Sequence, residues 1–336
     1  MRSMARLFLC TPAGAGTRNG NRHTALRWAA LLRTNGHRVR VALEWAGEPC
    51  DALIALHARR SAGSIARFAA TGKPLIVTLT GTDLYRDLPG STEARRSLEL
   101  ADRLIVLQEA ALAELDRAAR RKARVVYQSA DPHARRALPA DRFRVCVIGH
   151  LRSEKDPLRA VMALALLSAP GFEVVHIGSA LEPALGNEAK AWMAREPRYR
   201  WLGGVPHRRA LAWLAKSHVL VVSSVMEGGA NVIAEAARIG TPVLASRVSG
   251  NVGMLGARYP GYYPLGDEAA LARLIERASA DRRYYRQLGS ALRERRGLFS
   301  PASERRALAR VVEEVLERSS SPTFSRTAAL DQSTSP

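Results

Sequence analysis

The 336-residue sequence contains little cysteine, little lysine and no long apolar run. Its three cysteines, Cys10, Cys50 and Cys146, have no metal-binding spacing and form no obvious pair, which argues against a zinc site and a disulfide framework. Cys10 and Cys146 lie in apolar, strand-like runs, where we expect them to pack in a core. Such sparse and odd cysteine usage is typical of proteins from a reducing compartment.

No apolar segment is long enough to cross a bilayer, and the N-terminal run LFLC is too short for a signal peptide. We therefore expect a cytoplasmic protein without a membrane span. The final segment, 319–336, is polar and carries serine, threonine and proline. This composition predicts a disordered tail.

Lysine is scarce although the chain is strongly basic. The net charge is +20, and of the 51 basic residues only Lys73, Lys122, Lys155, Lys190 and Lys216 are lysines. Such a charge favours nucleic acid, an anionic membrane or an anionic substrate. However, the arginines are spread along the whole chain, and no basic cluster is interleaved with aromatic residues as in many nucleic-acid-binding proteins. A non-catalytic nucleic-acid-binding protein is therefore a distant alternative, and we expect no nucleic-acid partner.

Short apolar runs alternate with amphipathic segments along most of the chain. This alternation predicts the α/β class, with parallel sheets covered by helices on both faces. A linker containing Pro132 and Pro139 interrupts the pattern, which restarts at FRVCVIG. We therefore predict two Rossmann-like domains, 1–137 and 138–318, that face a central cleft, with the C-terminal helix packing back towards the first domain. Ligands of such sheets bind outside the carboxyl ends of the strands.

The sequence MEGGANVIAEAARIGTPVLAS, residues 226–246, predicts a helix directly after the apolar strand HVLVVSS. The helix is expected to start near Ala230 or Asn231 and to end at the next glycine. Its first turn has N–H groups without helical partners and the positive end of the helix dipole. Because Gly228 and Gly229 carry no side chains, a ligand can approach the backbone there, as in phosphate-binding sites.

Two glutamates flank the start of this helix: Glu227 precedes it, and Glu235 lies one turn inside. Carboxylates accept hydrogen bonds from hydroxyl groups. A ligand with phosphates in the middle and a sugar at each end would place Glu235 on a ribose diol and Glu227 on the second sugar. Taken singly, each glutamate also fits a surface helix residue or a partner of the helix dipole. The joint pattern favours a nucleotide-sugar.

This segment resembles the E-x7-E signature of the GT-B glycosyltransferases of family 4, and the resemblance covers the whole second domain. VCVIGHLRSEKDP is similar to that family's Gly-Arg-Leu…Glu-Lys-Gly segment, and YRWLGGV to its Leu-Gly loop near the base. The resemblance implies Glu235 on ribose, Glu227 on the donor sugar and Lys155 on the diphosphate. His150 stands where the family has an arginine, and Arg152 is the candidate replacement.

No Asp-x-Asp pair occurs in the sequence, so we expect neither a metal ion nor a cofactor. A lysine beside the leaving diphosphate would stabilise the charge that develops as the bond breaks. We assign catalytic roles to Lys155, Glu227 and Arg152. The residues expected to bind the nucleotide-sugar are Gly149, Lys155, Leu202, Gly228, Gly229, Ala230, Asn231, Val232 and Glu235.

Three loops of the first domain are expected to bind the acceptor. Each contains arginine, and together they contain few apolar or aromatic residues, which favours a small anion over a lipid. Thr80 stands where family-4 enzymes usually have a histidine, so that histidine's role does not transfer. His57 is a candidate for positioning the acceptor, or else a hydrogen-bonded histidine at a strand end. The expected acceptor-binding residues are Asn21, Arg22, His57, Arg59, Arg60, Thr80 and Asp83.

These loops also carry a narrower resemblance. NGNRHTALRWAALLRTNGHRVRV, ALHARRSAGSI and LTGTDLYRDL resemble the selenosugar synthases of selenoneine biosynthesis, over residues 5 to roughly 315. The resemblance implies transfer of a sugar from UDP-glucose or UDP-N-acetylglucosamine to selenophosphate, giving a 1-seleno sugar that a downstream enzyme uses. An ordinary family-4 glycosyltransferase acting on a glycolipid or polysaccharide is the main alternative, because it shares every feature of the second domain.

Overall fold

The computed structural model describes residues 4–14 and 20–320, and of Ser319 and Ser320 only the backbone. The chain divides into two compact units. Residues up to Tyr127 and from Glu304 onward form the first unit, and Gln128–Ser303 form the second. The domain boundary predicted between 137 and 138 lies in a stretch, 126–142, that has neither helix nor strand. Most of the predicted tail, 319–336, lies outside the described residues.

The first unit contains a six-stranded parallel sheet with the order β2-β1-β3-β4-β5-β6. Its strands are β1 (Arg6–Cys10), β2 (Arg38–Ala42), β3 (Ala52–Leu56), β4 (Leu75–Leu79), β5 (Arg103–Val106) and β6 (Ala123–Val125). Its helices are α1 (Gly20–Thr34), α2 (Ala62–Ala69), α3 (Thr92–Leu100), α4 (Arg117–Lys122) and most of the C-terminal helix, Pro301–Ser320. Every residue of β3 and β4 is buried, as expected for central parallel strands covered on both faces.

The C-terminal helix packs on the first unit's sheet. Leu308 and Val312 belong to the same buried cluster as Trp28 of α1. The buried carboxylate of Glu304 accepts a hydrogen bond of 2.7 Å from Nε1 of Trp28 and one of 2.9 Å from Nε of Arg27. Apolar packing and this charge-assisted pair together hold the end of the described chain on the first unit.

The second unit repeats the architecture, with the strand order β12-β11-β10-β7-β8-β9, all parallel. Its strands are β7 (Phe143–Ile148), β8 (Phe172–Ile177), β9 (Tyr199–Trp201), β10 (Val219–Val222), β11 (Val243–Ser246) and β12 (Tyr262–Tyr263). Its helices are α5 (Arg159–Ala165), α6 (Pro183–Arg195), α7 (His207–Ala215), α8 (Asn231–Ile239), α9 (Ser249–Leu255), α10 (Glu268–Ala280) and α11 (Arg282–Arg295). The two parallel sheets confirm the predicted α/β fold.

Strand order determines where each sheet can bind a ligand. In the second unit the chain runs from β7 outward to β9 and then returns to β10, on the other side of β7. In the first unit β1 likewise lies between β2 and β3. At β7 and β10 in the second unit, and at β1 and β3 in the first, the connections leave the two neighbouring strands in opposite directions. A crevice therefore forms outside the carboxyl ends of each pair of strands. The loops that follow β7 and β10, and those that follow β1 and β3, contain many of the candidate residues, whereas Thr80 and Asp83 follow β4 and Leu202 follows β9.

Candidate active site

Two loops of the second unit are tied together at the carboxyl ends of β7 and β10. The hydroxyl of Ser223 donates to the backbone carbonyl groups of Lys155 and Asp156, at 3.0 and 2.7 Å. The N–H of Val225 donates to the carbonyl of Glu154 at 2.9 Å. Residues 153–155 form a single 3₁₀ turn. These bonds fix the backbone of the lysine-bearing loop against the loop that precedes α8.

Asp156 has a left-handed backbone, with φ of 42°, which is uncommon for a residue other than glycine. Its carboxylate accepts a hydrogen bond of 2.8 Å from Nε of Arg159 at the start of α5. The left-handed residue ends the 3₁₀ turn directly after Lys155. A sparsely populated conformation at this point indicates that the surrounding structure determines where the lysine lies.

Lys155 and Glu227 form an ion pair between these two loops. The ammonium group donates to Oε1 of Glu227, and the hydroxyl of Ser224 donates to the same oxygen at 2.6 Å. The side chain of Lys155 is 24% exposed and that of Glu227 only 9%. They line a cavity of about 20 Å³, together with Gly149 and Val232. A space of that size holds about one water molecule.

His176 on β8 supports the loop that follows β7 from beneath. Its imidazole is fully buried, with Nε2 3.1 Å from the carbonyl of Gly149 and Nδ1 3.0 Å from the hydroxyl of Tyr199. Burial lowers the pKa of His176 to about 4, so the neutral ring donates to the carbonyl and accepts from the tyrosine. Gly178 approaches the same carbonyl so closely that a Cβ there would lie 1.9 Å from its oxygen.

His150 and Arg152 share the loop after β7 but have different surroundings. Nδ1 of His150 accepts a hydrogen bond of 3.1 Å from the N–H of Ser179. Arg152 is half-buried, and within the described ranges its guanidinium forms no ion pair. Of the two residues, Arg152 therefore has the charge available for an anionic ligand.

Helix α8 begins at Asn231 and ends at Ile239, followed by Gly240 with φ of 89°. Both ends agree with the prediction. Ala230 has the extended conformation of an N-cap but no side-chain oxygen to accept from the first turn. Gly228 is buried and Gly229 half-buried. The start of α8 thus follows a segment in which no side chain larger than a methyl group intervenes.

Glu235 faces α7 across the surface of α8. Its Oε1 lies 2.7 Å from Nε2 of His207, the first residue of α7. The Glu235 side chain is 13% exposed and the His207 side chain 62%. The hydrogen bond that His207 donates to Glu235 raises the pKa of His207. The sequence offered no signal for this pair, because the two residues are brought together only by the packing of two helices.

In the first unit, Asp83 holds the loops after β3 and β4 together. Its buried carboxylate accepts hydrogen bonds from the N–H groups of Ala58, Thr80 and Gly81 at 2.9, 2.8 and 2.9 Å. Three such bonds satisfy a buried carboxylate without a ligand. Asp83 therefore determines the shape of this loop pair.

His57 is buried and has a left-handed backbone, with φ of 74°. Its Nδ1 accepts a hydrogen bond of 3.3 Å from the N–H of Arg60, and its Nε2 lies 3.2 Å from Oγ1 of Thr82. Burial lowers the pKa of His57. This is the geometry of a hydrogen-bonded histidine at a strand end, which turns the chain so that Arg59 and Arg60 become exposed.

Residues 130–295 match the family described as Glycosyl transferases group 1. The matched segment covers nearly all of the second unit, including both loops and α8. The second unit therefore belongs to the glycosyltransferase group 1 family, and the two parallel sheets have the GT-B fold of such enzymes.

Solved structures of similar fold align with nearly the whole length of this chain. Anabaena HepE in complex with UDP-glucose has a TM-score of 0.74 and 18% identity, over 92% of this chain and 100% of that one. Sucrose-phosphate synthase from Thermosynechococcus elongatus has a TM-score of 0.77 and 18% identity, over 93% and 99%. Because these alignments include both units, the fold is shared in the first unit as well as in the second.

The glycosyltransferase brings some of the predicted donor-site residues together and not others. Gly149, Lys155, Glu227 and Val232 line one cavity. Glu235 is not part of its lining and instead pairs with His207. The N–H of Leu202 donates to the carbonyl of His176 at 2.9 Å, in the loop after β9.

The predicted acceptor residues also differ in their surroundings. Asn21 and Arg22 are half-buried and lie in the first turn of α1. Residues 15–19, which precede α1, lie outside the described residues.

In the part of the chain that the structure describes, no helix combines the length and apolar character that a bilayer span requires.

Proposed function

We propose that this glycosyltransferase transfers a sugar from a UDP-sugar to selenophosphate. The observation that carries the donor half is the Lys155–Glu227 pair, held beside the start of α8 in the unit that matches the family. HepE, which shares the fold, is described in complex with UDP-glucose and with UDP. The proposal extends that class of donor to this enzyme, as UDP-glucose or UDP-N-acetylglucosamine.

The donor roles follow from charge and burial. The Lys155 ammonium and the Arg152 guanidinium stabilise the diphosphate as it takes up charge, together with the first turn of α8. Glu227 accepts hydrogen bonds from hydroxyls of the donor sugar, and Glu235 does so from the ribose. Because Lys155 already pairs with Glu227, binding of the donor exchanges that contact for contacts with the diphosphate and the sugar.

The acceptor half is supported by Arg59 and Arg60. Both side chains are exposed, on a loop that Asp83 and His57 hold rigidly. Nε of Arg59 lies 2.9 Å from Oδ2 of Asp87, whereas Arg60 pairs with no carboxylate among the described residues. A small, highly charged acceptor fits paired guanidinium groups better than a lipid does. The resemblance of these loops to selenosugar synthases makes selenophosphate the specific choice.

The proposed chemistry balances without a metal ion or redox partner. Selenium of selenophosphate forms a bond to the anomeric carbon while the bond from that carbon to the UDP oxygen breaks. UDP leaves with the electron pair, and Lys155 and Arg152 stabilise its charge. Water then cleaves the selenium–phosphorus bond, which releases phosphate and the 1-seleno sugar. Selenophosphate is already anionic, so the attack needs no general base at the position of Thr80.

A product assay tests the proposal. The purified protein is incubated with selenophosphate and either UDP-glucose or UDP-N-acetylglucosamine, in EDTA and in parallel with added Mg²⁺. Mass spectrometry should detect a hexose with the selenium isotope pattern, together with one equivalent of UDP, in both buffers. Glu235→Ala should weaken UDP binding by about 1–3 kcal/mol through lost hydrogen bonds to a charged group.

Four results would contradict parts of the proposal. UDP release without a selenium product would reject the acceptor, and turnover on a glycolipid or polysaccharide would replace it. Turnover in Mg²⁺ but none in EDTA would reject metal independence. Failure of the protein to bind UDP by calorimetry would reject the donor.

A further inference from the structure

We infer that His207 is a positioning residue, which orients the carboxylate of Glu235 for recognition of the ribose diol. The inference rests on the proposed function, since it assumes that Glu235 meets a ribose. It adds a residue that no donor-binding motif of the sequence contains. Its basis is the contact between Nε2 of His207 and Oε1 of Glu235, at 2.7 Å.

The contact occupies one oxygen of Glu235 and leaves the other available. Within the part of the chain that the structure describes, Oε2 of Glu235 accepts no hydrogen bond. A carboxylate has two oxygens and about four lone-pair positions. With Oε1 bound to the imidazole, Oε2 and the remaining lone pair on Oε1 can accept from two vicinal hydroxyls.

Positioning matters because a glutamate side chain is flexible. Ordering a free glutamate on binding costs rotamer entropy, up to about 2 kcal/mol on common scales. The Glu235 side chain is only 13% exposed, so α8 and its neighbours already restrict the methylene groups. The hydrogen bond to His207 adds the last restriction, on the rotation of the carboxylate plane, before the nucleotide arrives.

The bond does not depend on one protonation state. Imidazole can donate from Nε2 as the neutral ring and as the imidazolium ion. The neighbouring carboxylates Glu235 and Asp131 both favour the charged form. His207 therefore orients Glu235 on both sides of neutral pH.

A merely structural ion pair would predict something different. Exposed ion pairs contribute little to stability. If the His207–Glu235 pair only supported the fold, its loss would change the affinity for UDP and for 2′-deoxy-UDP by the same factor. An orienting role predicts a loss that depends on the 2′-hydroxyl. The affinity ratio of UDP to 2′-deoxy-UDP separates the two roles, because the two ligands differ only in one hydroxyl.

The experiment measures this ratio by calorimetry in four variants and the unmodified protein. The unmodified protein should bind UDP about tenfold more tightly than 2′-deoxy-UDP, and Glu235→Ala should abolish the preference. His207→Ala should reduce it to about twofold or less. His207→Gln, whose amide can still donate, should restore most of it. Arg208→Ala removes an exposed neighbouring cation and should leave the ratio unchanged.

The outcomes separate this inference from the function on which it rests. A preference for UDP that survives His207→Ala overturns the positioning role while leaving donor binding intact. Equal losses for both nucleotides in His207→Ala overturn it too, and assign the pair to stability. If the unmodified protein binds neither nucleotide, the donor assignment itself is wrong, and the inference is rejected with it.

Discussion

The ammonium of Lys155 and the hydroxyl of Ser224 donate to the same oxygen of Glu227. This oxygen lies between two loops that are 72 residues apart in sequence. The pair therefore joins the two loops, and under the proposed function it also supplies two groups that bind the donor. We therefore expect stability and turnover to be coupled at this contact, and substitutions can separate them.

Lys155→Met should destabilise the protein and remove turnover. Breaking a buried ion pair from one side costs about 3–5 kcal/mol because a charge is left unpaired. Here Ser224 still donates to Glu227 and Lys155 is partly exposed, so we expect about 1–3 kcal/mol. Urea denaturation gives the free energy of unfolding, and UDP release in the presence of acceptor gives the turnover.

A double substitution provides the control for this effect. In Lys155→Met with Glu227→Gln no charge remains buried, so the free energy of unfolding should recover by about 1 kcal/mol or more relative to Lys155→Met. Turnover should not recover, since both groups act on the donor. Additive losses of stability in the double variant would show that the two residues do not interact in solution.

Arg59 and Arg60 should affect the acceptor and leave the donor untouched. Arg60→Ala should raise the KM for selenophosphate by about tenfold, the expected effect of one lost charge-assisted contact. Arg59→Ala should raise it less, because part of that guanidinium already pairs with Asp87. The affinity for UDP should stay the same in both variants. Loss of UDP binding in either one would refute the division of roles between the two units.

The fold and the local structure of α8 could be predicted because they depend on near neighbours in sequence. Alternating apolar and amphipathic segments specify both sheets, and the glycine at 240 ends α8 in the left-handed conformation that glycine tolerates best. The strand Tyr262–Tyr263 was not predicted, because two residues carry no periodicity. Helices α9 to α11 were not predicted either.

The contacts that shape the site could not be predicted, because they join distant residues. Asp83 stays a predicted acceptor residue, but the sequence did not indicate that its carboxylate also accepts hydrogen bonds from the N–H groups of two neighbouring loops. Glu235 belongs to a motif that can be recognised in the sequence, whereas its partner His207 lies 28 residues away on another helix. The buried His176 stood in an apolar strand run, which indicated burial but not its two hydrogen-bond partners.

His176 should make the protein less stable in acid. Its pKa is about 4 in the folded state against 6.5 for the free side chain. Below pH 6.5 the unfolded chain gains a proton that the folded chain cannot bind until about pH 4. Stability is therefore complete above pH 6.5 and is lost as the pH falls towards 4, by a magnitude on the order of 3 kcal/mol. His218, with a pKa of about 4, adds to the loss over the same range.

Urea denaturation between pH 7 and pH 4 measures this dependence. In His176→Gln the slope should become shallower, since one titrating group is removed. Tyr199→Phe is the matched control: it removes the hydroxyl partner but keeps the imidazole buried, so the slope should persist. An unchanged slope in His176→Gln would show that other groups cause the acid sensitivity.

Gly250, in the first turn of α9, determines how closely that helix approaches Glu227. A Cβ at Gly250 would lie 1.8 Å from the carbonyl oxygen of Glu227, so either the helix or the loop that contains Glu227 must move. Gly250→Ala should destabilise the protein by about 1–3 kcal/mol. Turnover should fall further than the lost stability explains, because Glu227 moves with its backbone.

The matched control is Gly289→Ala in α11. A Cβ there meets only Nη1 of Arg293, at 3.8 Å, so the substitution should be neutral or stabilise the helix by up to about 1 kcal/mol. Thermal unfolding and UDP release are compared for both variants. A Gly250→Ala protein with unchanged stability and turnover would mean that α9 retreats without disturbing Glu227. Reduced turnover at unchanged stability would instead confirm that the position of this backbone governs catalysis independently of the fold.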